Sequence, residues 1–378
     1  MSFRELLITD KQPNDEAVVK HLQQTQLPIV LYGASPDVAD GIVKKLSLSH
    51  IQVAMVAYDD LTPPPAALQE TKLLKNIPAA PTTAVSAQFK AFNVVIGFVK
   101  GYPLAAEIAH KFKNAQAAFY FSEVFDMEII TPQFVNENID SLEVLYDSLS
   151  DERSKQSFAA YLQSKISQDM KFLPPVFEKV QYFPQDIIAL TTNELYFDGG
   201  AFTGDTIADF CKYSSGKYRH IWAAEPDRQN FEMLSRYVQQ AGFDNITLCN
   251  KGIYSNTGRQ PFCSEGSMLS MITDNSGQSI EVDTIDNITA GEAVTFIKLD
   301  VEGAELEALK GAEQTIRRHQ PILAVSIYHR QRDFVDIPLF IKSIAPDYHL
   351  FFRAHKKLAI DAVLYFLPQN RLKILQLS

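Results

Sequence analysis

One stretch restricts the fold more than any other: Glu194-Leu-Tyr-Phe-Asp-Gly-Gly-Ala-Phe-Thr-Gly-Asp-Thr206. The apolar run Leu195–Phe197 reads as a buried strand, and it ends at Asp198. The chain then passes through Gly199, Gly200 and Gly204 into a helical pattern starting near Asp205, where Ile207, Phe210 and Cys211 mark the buried face. A strand that turns through glycines into a helix start makes a small-molecule pocket at the carboxyl edge of a parallel sheet. Glycine lets the backbone approach a ligand, and the free N–H groups of the helix attract its negative end. This turn is expected to cradle a cofactor.

The following segments repeat the strand and helix alternation. His220–Ala224 reads as the next strand and ends at Glu225-Pro226. In nucleoside-binding sheets a carboxylate at that place accepts hydrogen bonds from the two ribose hydroxyls, which is the reading given to Glu225. Phe231, Leu234, Val238 and Ala241 keep helical spacing up to Gly242. Asn245–Asn250 reads as a third strand, and Asn250-Lys251-Gly252 falls where an adenine would lie. Residues 255–277 are expected to be an irregular loop shaping substrate access, with extended structure resuming over 279–285.

The second informative run is Thr295-Phe-Ile-Lys-Leu-Asp-Val-Glu-Gly-Ala-Glu305. Strand alternation places Phe296, Lys298, Asp300 and Glu302 on one side. Charges in a covered parallel sheet are costly unless paired or functional, so Lys298 is either an internal partner for a carboxylate or part of the site. Asp300 stands at the strand end, where chemistry is usually placed. One helix is expected over 305–318, and Ile322–Tyr328 then reads as a strand delivering His329 to the same edge. Residues 348–353 and 361–367 read as a closing antiparallel pair.

The first half is a second α/β alternation. Strands are expected at 28–32, 51–58, 93–99 and 117–121, with helical spacing at Val38, Ile42, Val43 and Leu46 and over 104–112. Gly33 and Gly41 do not make a G-x-G-x-x-G, so Gly33 reads as a turn glycine rather than a second cofactor site. A helical connector follows, with Ile139, Leu142, Leu145 and Leu149 on one helix and Phe158, Tyr161, Leu162 and Ile166 on the next. Pro174-Pro175 stops it. The expected division is residues 1–149, serving substrate contact or dimerisation, and residues 150–378, carrying the connector and the cofactor turn.

With 378 residues, 46% of them hydrophobic, the chain can bury two cores. Its net charge of −10, without an arginine or lysine cluster, gives no nucleic-acid footprint. Three cysteines without metal-ligand spacing fit a reducing compartment. No stretch approaches the roughly 18–20 apolar residues of a membrane span, and residues 1–15 lack a signal-peptide core, so a cytoplasmic protein is expected.

Several of these runs together carry a resemblance: Asp-Gly-Gly-Ala-Phe-Thr-Gly-Asp-Thr (198–206), Glu225-Pro226, Val-Asp-Thr-Ile-Asp (282–286), Phe-Ile-Lys-Leu-Asp-Val-Glu-Gly-Ala-Glu-Leu-Glu-Ala-Leu-Lys-Gly-Ala (296–312) and Ser-Ile-Tyr-His (326–329) with Asp333. Over about residues 150–368 the chain resembles the FkbM family of S-adenosylmethionine-dependent methyltransferases. The resemblance implies a class I, Rossmann-like sheet of seven strands in the order 3-2-1-4-5-7-6, the seventh antiparallel. It also implies that Asp198, Gly200, Thr203 and Gly204, with Gly199, hold the methionine end of the cofactor. Glu225 would take the ribose, and Lys251 borders the adenine. Phe202 stands where the general E/D-x-G-x-G-x-G pattern has its middle glycine. Family members mostly methylate oxygen, so the expected acceptor is a hydroxyl on a sugar, glycan or secondary metabolite. An imidazole can take an alcohol's proton as the bond to carbon forms, making His329 the expected base, with Asp300 orienting it or the substrate. No metal site is assigned; Glu302 with Asp300 could instead hold a divalent cation that acidifies the hydroxyl. The alternatives are a nicotinamide-dependent oxidoreductase of Rossmann type and a non-catalytic module that binds the cofactor.

Overall fold

The computed structural model describes residues 2–7, 14–65, 68, 73–98, 105–121, 130–263, 271–272, 279–355 and 361–375. The chain forms two compact units, Met1–Asn136 with Ala159–Pro175, and Glu137–Phe158 with Val176–Ser378. It therefore passes between them three times, once inside the helix Glu152–Ser167.

In the first unit, strands β1 (Ile29–Tyr32), β2 (Val53–Tyr58), β3 (Ala79–Pro81), β4 (Phe92–Ile96) and β5 (Ala115–Phe119) form a parallel sheet in the order β3-β2-β1-β4-β5. Alternation explains why β1 is apolar throughout. Ile29 and Leu31 join one core with Leu22, Ile42 and Val95, while Val30 and Tyr32 join another with Val94, Ile96 and Phe112. Gly33 sits at φ +67°, and a Cβ there would come within 2.6 Å of Phe98 Cδ1. The Phe98 ring thus packs where a side chain at position 33 would stand.

In the second unit the chain lays down β6 (Phe177–Glu178), β7 (Leu195–Gly199), β8 (His220–Ala224) and β9 (Ile246–Cys249). Four short strands follow: β10 (Gly252–Ile253), β11 (Gly258–Cys263), β12 (Met271–Ile272) and β13 (Ser279–Asp283), forming a sheet of their own in the order β10-β13-β11-β12. The segment expected to be an irregular loop is therefore partly extended, because Gly258–Pro261 pairs antiparallel with Ser279–Val282. Residues 264–270 and 273–278 lie outside the described residues.

The large sheet is completed by β14 (Phe296–Leu299), β15 (Ile322–Ser326), β16 (His349–His355) and β17 (Ala362–Leu367). Its order is β6-β16-β17-β15-β14-β7-β8-β9, eight strands where seven were expected. The eighth is β6, which adds parallel to β16 through Phe177 and Glu178. The other seven, numbered along the chain, run 3-2-1-4-5-7-6, and β17 is antiparallel to both neighbours.

The order puts β7 inside the sheet, with β8 on one side and β14 on the other. Tyr196 of β7 stacks on Phe210 at 4.2 Å between ring centroids, and Phe183 packs against Tyr196 and Phe296 at 5.9 and 5.4 Å. Each aromatic pair adds about 0.5–1.5 kcal/mol beyond its buried area, fixing the helix Asp205–Tyr213 on the sheet.

The helix expected over 305–318 is two helices, Glu305–Lys310 and Glu313–His319. Gly311 lies between them, so close to the backbone of Tyr254 that a Cβ would meet its carbonyl oxygen at 2.1 Å. Among the described residues no helix is long and apolar enough to cross a membrane.

Candidate active site

The carboxyl ends of β7, β8, β14 and β15 gather two groups of side chains. The first surrounds the glycine turn. Gly200 has φ +76°, and a Cβ on it would lie 1.8 Å from the carbonyl oxygen of Asp300, so only glycine lets the turn pack on the end of β14. Asp300 N–H donates to the Gly199 carbonyl at 3.1 Å, which ties the two strand ends together. Gly204, at φ +99°, is the N-cap of the helix Asp205–Tyr213. Phe202 also has a positive φ of 47°, and Thr203 is half-buried in the same turn.

Lys298 secures this turn from below. Its ammonium lies 3.0 Å from Asp198 Oδ1 and donates to the carbonyls of Gly200 at 2.6 Å and Gly199 at 3.2 Å. Asp198 also accepts from Thr206 Oγ1. Lys298 and Asp198 are both buried, the internal pairing anticipated for the lysine. Burial pushes the Asp198 carboxyl up, against Lys298 and Thr206. Burial also opposes the charge on Lys298, but Asp198 and Asp300 outweigh it and hold the ammonium above its ordinary value. An ammonium resting on two carbonyls beside two carboxylates decides for the ionised pair. The Asp198 side chain is thus spent on positioning the turn.

Glu225 follows β8 and is 5% exposed. Its Oε2 accepts from the N–H of Phe202 at 2.9 Å and its Oε1 from the N–H of Asp227 at 2.9 Å, so strand end and glycine turn share one carboxylate. Burial pushes its pKa up to about 7, against those two hydrogen bonds. Asn250 Nδ2 donates to the Glu225 carbonyl at 2.8 Å. The Lys251 side chain turns elsewhere, pairing with Asp283 of β13 at 2.8 Å. Burial raises the Asp283 carboxyl, but Lys251, Thr257 and Asn287 outweigh it and hold it well below the carboxylate range. Asn250, rather than Lys251, is what the fold brings to Glu225.

The second group is His329 with its carboxylates. Its Nδ1 lies 2.9 Å from Glu305 Oε1, and its Nε2 lies 3.3 Å from Glu302 Oε2 and 3.7 Å from Asp300 Oδ1. Glu305 is fully buried and also accepts from Val301 N–H at 2.9 Å. Asp300 accepts from Tyr182 Oη at 2.8 Å and Tyr328 Oη at 3.1 Å. Its carboxyl is held low, burial being outweighed chiefly by Lys298 and His329. Burial lifts the Glu302 carboxyl despite His329. Burial disfavours charge on His329, yet Glu305 and Glu302 more than reverse this and raise its pKa well above 6.5.

The three residues expected to do the chemistry are therefore assembled, but the expected role of His329 as a free base changes. An imidazole among three carboxylates favours its protonated form unless a cation takes that proton's place. Glu305, Tyr182 and Tyr328 are members of the cluster that the sequence reading did not assign. Glu302 and Glu305, three residues apart around Gly303, carried a signal; Tyr182 lies too far along the chain to have shown one.

Residues 198–354 match the family model described as the methyltransferase FkbM domain. This region is an FkbM methyltransferase domain. It spans the glycine turn, Glu225, Asp300 and His329, so both groups of side chains belong to a methyltransferase domain. Comparison with curated proteins gives no match. Among solved structures, the methyltransferase FkbM from Methylobacillus flagellatus KT is similar over 92% of this chain and 92% of its own, with 24% identity and a TM-score of 0.71. That likeness extends the shared fold beyond the FkbM domain. An rRNA methylase from Streptococcus thermophilus aligns over 49% of this chain and 90% of its own, with 14% identity and a TM-score of 0.33.

Proposed function

We propose that the chain is an S-adenosylmethionine-dependent O-methyltransferase of class I fold, acting on a hydroxyl of a sugar, glycan or secondary metabolite. The observation that carries this reading is Glu225, whose buried carboxylate is held against the glycine turn by the N–H of Phe202. A carboxylate held by only two backbone donors keeps lone pairs for paired ribose hydroxyls, which fits a nucleoside cofactor. Gly199, Gly200, Thr203 and Gly204 would hold its methionine end, with Asp198 keeping their backbone in place through Lys298. When bound, the cofactor supplies a methyl group already activated on a sulfonium sulfur.

The chain's own task is to align an acceptor oxygen and dispose of its proton. Asp300 and Glu302 keep about a fifth of their side chains exposed, 22% and 21%, and offer oxygens to a hydroxyl. Of the two, Glu302 is the stronger base because burial lifts its carboxyl. Tyr182 and Tyr328 fix Asp300, and His329 stands beside Glu302 and Asp300 at 3.3 and 3.7 Å.

The test is transfer of label from methyl-labelled S-adenosylmethionine to a panel of hydroxyl-bearing sugars and polyketide-type alcohols, with oxygen methylation read by mass spectrometry. Labelled ether products are expected. Methylation of nitrogen or carbon alone would overturn the reading.

A further inference from the structure

We infer that Asp300, Glu302 and His329 bind a divalent cation of the magnesium or manganese class, with Glu305, Tyr182 and Tyr328 orienting the three ligands. One ligand atom from each of the three lies within 4.8 Å of the others; the two carboxylates suit a hard divalent ion, and the imidazole moves the preference from magnesium toward manganese and the later first-row metals.

The second observation is the imidazole itself. His329 is 6% exposed, and its Nε2 faces Glu302 and Asp300 at 3.3 and 3.7 Å without meeting hydrogen-bond geometry with either. A buried ring nitrogen aimed between two carboxylates, yet poorly angled toward both, faces a place where a cation would satisfy all three.

The surrounding side chains are arranged as supports for metal ligands. Glu305 Oε1 stands 2.9 Å from Nδ1 as a charged contact, the place a supporting carboxylate takes beside a metal-bound histidine, with neither ring nitrogen in hydrogen-bond geometry. Tyr182 and Tyr328 each donate to a different oxygen of Asp300, leaving lone pairs on both. Charge points the same way. Asp300, Glu302 and Glu305 surround a single imidazole, while Lys298 is already engaged with Asp198 and the turn carbonyls.

This inference rests on the methyl-transfer reading for its purpose. Three protein ligands on an ion that takes about six leave positions for the acceptor hydroxyl and water. A cation held there would polarise the O–H bond, and the proton would pass to Glu302. The oxygen-to-carbon bond then forms as the carbon-to-sulfur bond breaks, with its electron pair leaving on sulfur.

The test is calorimetric titration of chelator-treated full-length protein with Mn²⁺ alone, with water-proton relaxation of the bound ion as a second readout on the unaltered chain. One saturable site per chain is expected, and relaxation should report fewer inner-shell waters than the free ion carries. Asp300→Asn and Glu302→Gln should each weaken binding at least about tenfold, and Glu305→Gln by about tenfold through the ligand it supports. Glu313→Gln, at a half-buried carboxylate paired with Arg317 and outside the cluster, should bind as the unaltered chain does. No saturable Mn²⁺ binding, or binding unchanged in both Asp300→Asn and Glu302→Gln, would overturn the site. The same samples are titrated with S-adenosylmethionine. A chain that binds the cofactor but not Mn²⁺ removes the cation site alone; one that binds Mn²⁺ but not the cofactor removes the methyl-transfer reading and leaves the site.

Discussion

Replacing Lys298 by methionine keeps most of the side chain's volume and removes the charge that holds the glycine turn. Asp198 would then be a buried carboxylate that still accepts from the Thr206 hydroxyl but has lost the ammonium beside it. Removing one partner of a buried ion pair costs about 3–5 kcal/mol. A second route gives the same scale. The stranded carboxyl escapes by taking a proton, which at pH 7 costs about 1.36 kcal/mol for each of roughly three pH units above an unfolded-state pKa near 3.9, or about 4 kcal/mol. The sign follows from its folded pKa lying above the unfolded one. The penalty is absent below about pH 4 and grows with pH until the folded pKa is passed, reaching about 1.5 kcal/mol at pH 5 and about 4 kcal/mol at pH 7. Urea unfolding followed by the fluorescence of Trp222, the chain's single tryptophan and a residue of β8, measures this in the unit concerned. Adding Asp198→Asn to the methionine variant removes the stranded charge and should recover most of the loss at pH 7. A loss below about 1 kcal/mol at pH 7, or one that does not change between pH 5 and pH 7, would refute the reasoning.

Three other outcomes are expected. Glu225 titrates near pH 7 in the unliganded protein, and its ionised form is the ribose acceptor, so S-adenosylmethionine affinity should fall up to about tenfold from pH 8 to pH 6; a flat profile by calorimetry would remove Glu225 from the binding site. Gly200→Ala combines a positive φ with a contact of 1.8 Å to the Asp300 carbonyl oxygen, and should cost at least about 3 kcal/mol in urea unfolding; a variant as stable as the parent would show that the turn is not packed as described. His329→Ala should reduce turnover about tenfold to a hundredfold through the carboxylates it positions, with cofactor affinity nearly intact, checked by single-turnover transfer beside calorimetry; unchanged turnover would take His329 out of the mechanism.

The parts legible in the sequence are those whose meaning is local. The glycine turn after Leu195–Phe197 announced itself because φ values of +76° and +99° at Gly200 and Gly204 need glycine. Glu225 was readable from its place at a strand end. Lys298 was marked as anomalous by its charge within an apolar strand, and its partner became certain only from the parallel register that sets Lys298 beside Asp198. What stayed hidden depends on distant chain meeting chain. Tyr182 reaches Asp300 across 118 residues, and β6 joins β16 although it is two residues long. The break at Gly311 comes from the backbone of Tyr254, which no helical periodicity registers. The surroundings of His329 were hidden because Glu305 is both the start of a helix, which the sequence shows, and a buried carboxylate facing the imidazole, which it does not.

Everything functional rests on Glu225 and the glycine turn holding one nucleoside cofactor, so titrating folded full-length protein with S-adenosylmethionine tests the account most directly. One cofactor should bind per chain, and Glu225→Gln should weaken it about tenfold or more, the loss of hydrogen bonds to a charged group. A folded chain that takes up no S-adenosylmethionine, or a Glu225→Gln variant that binds it as tightly as the parent, would contradict the account.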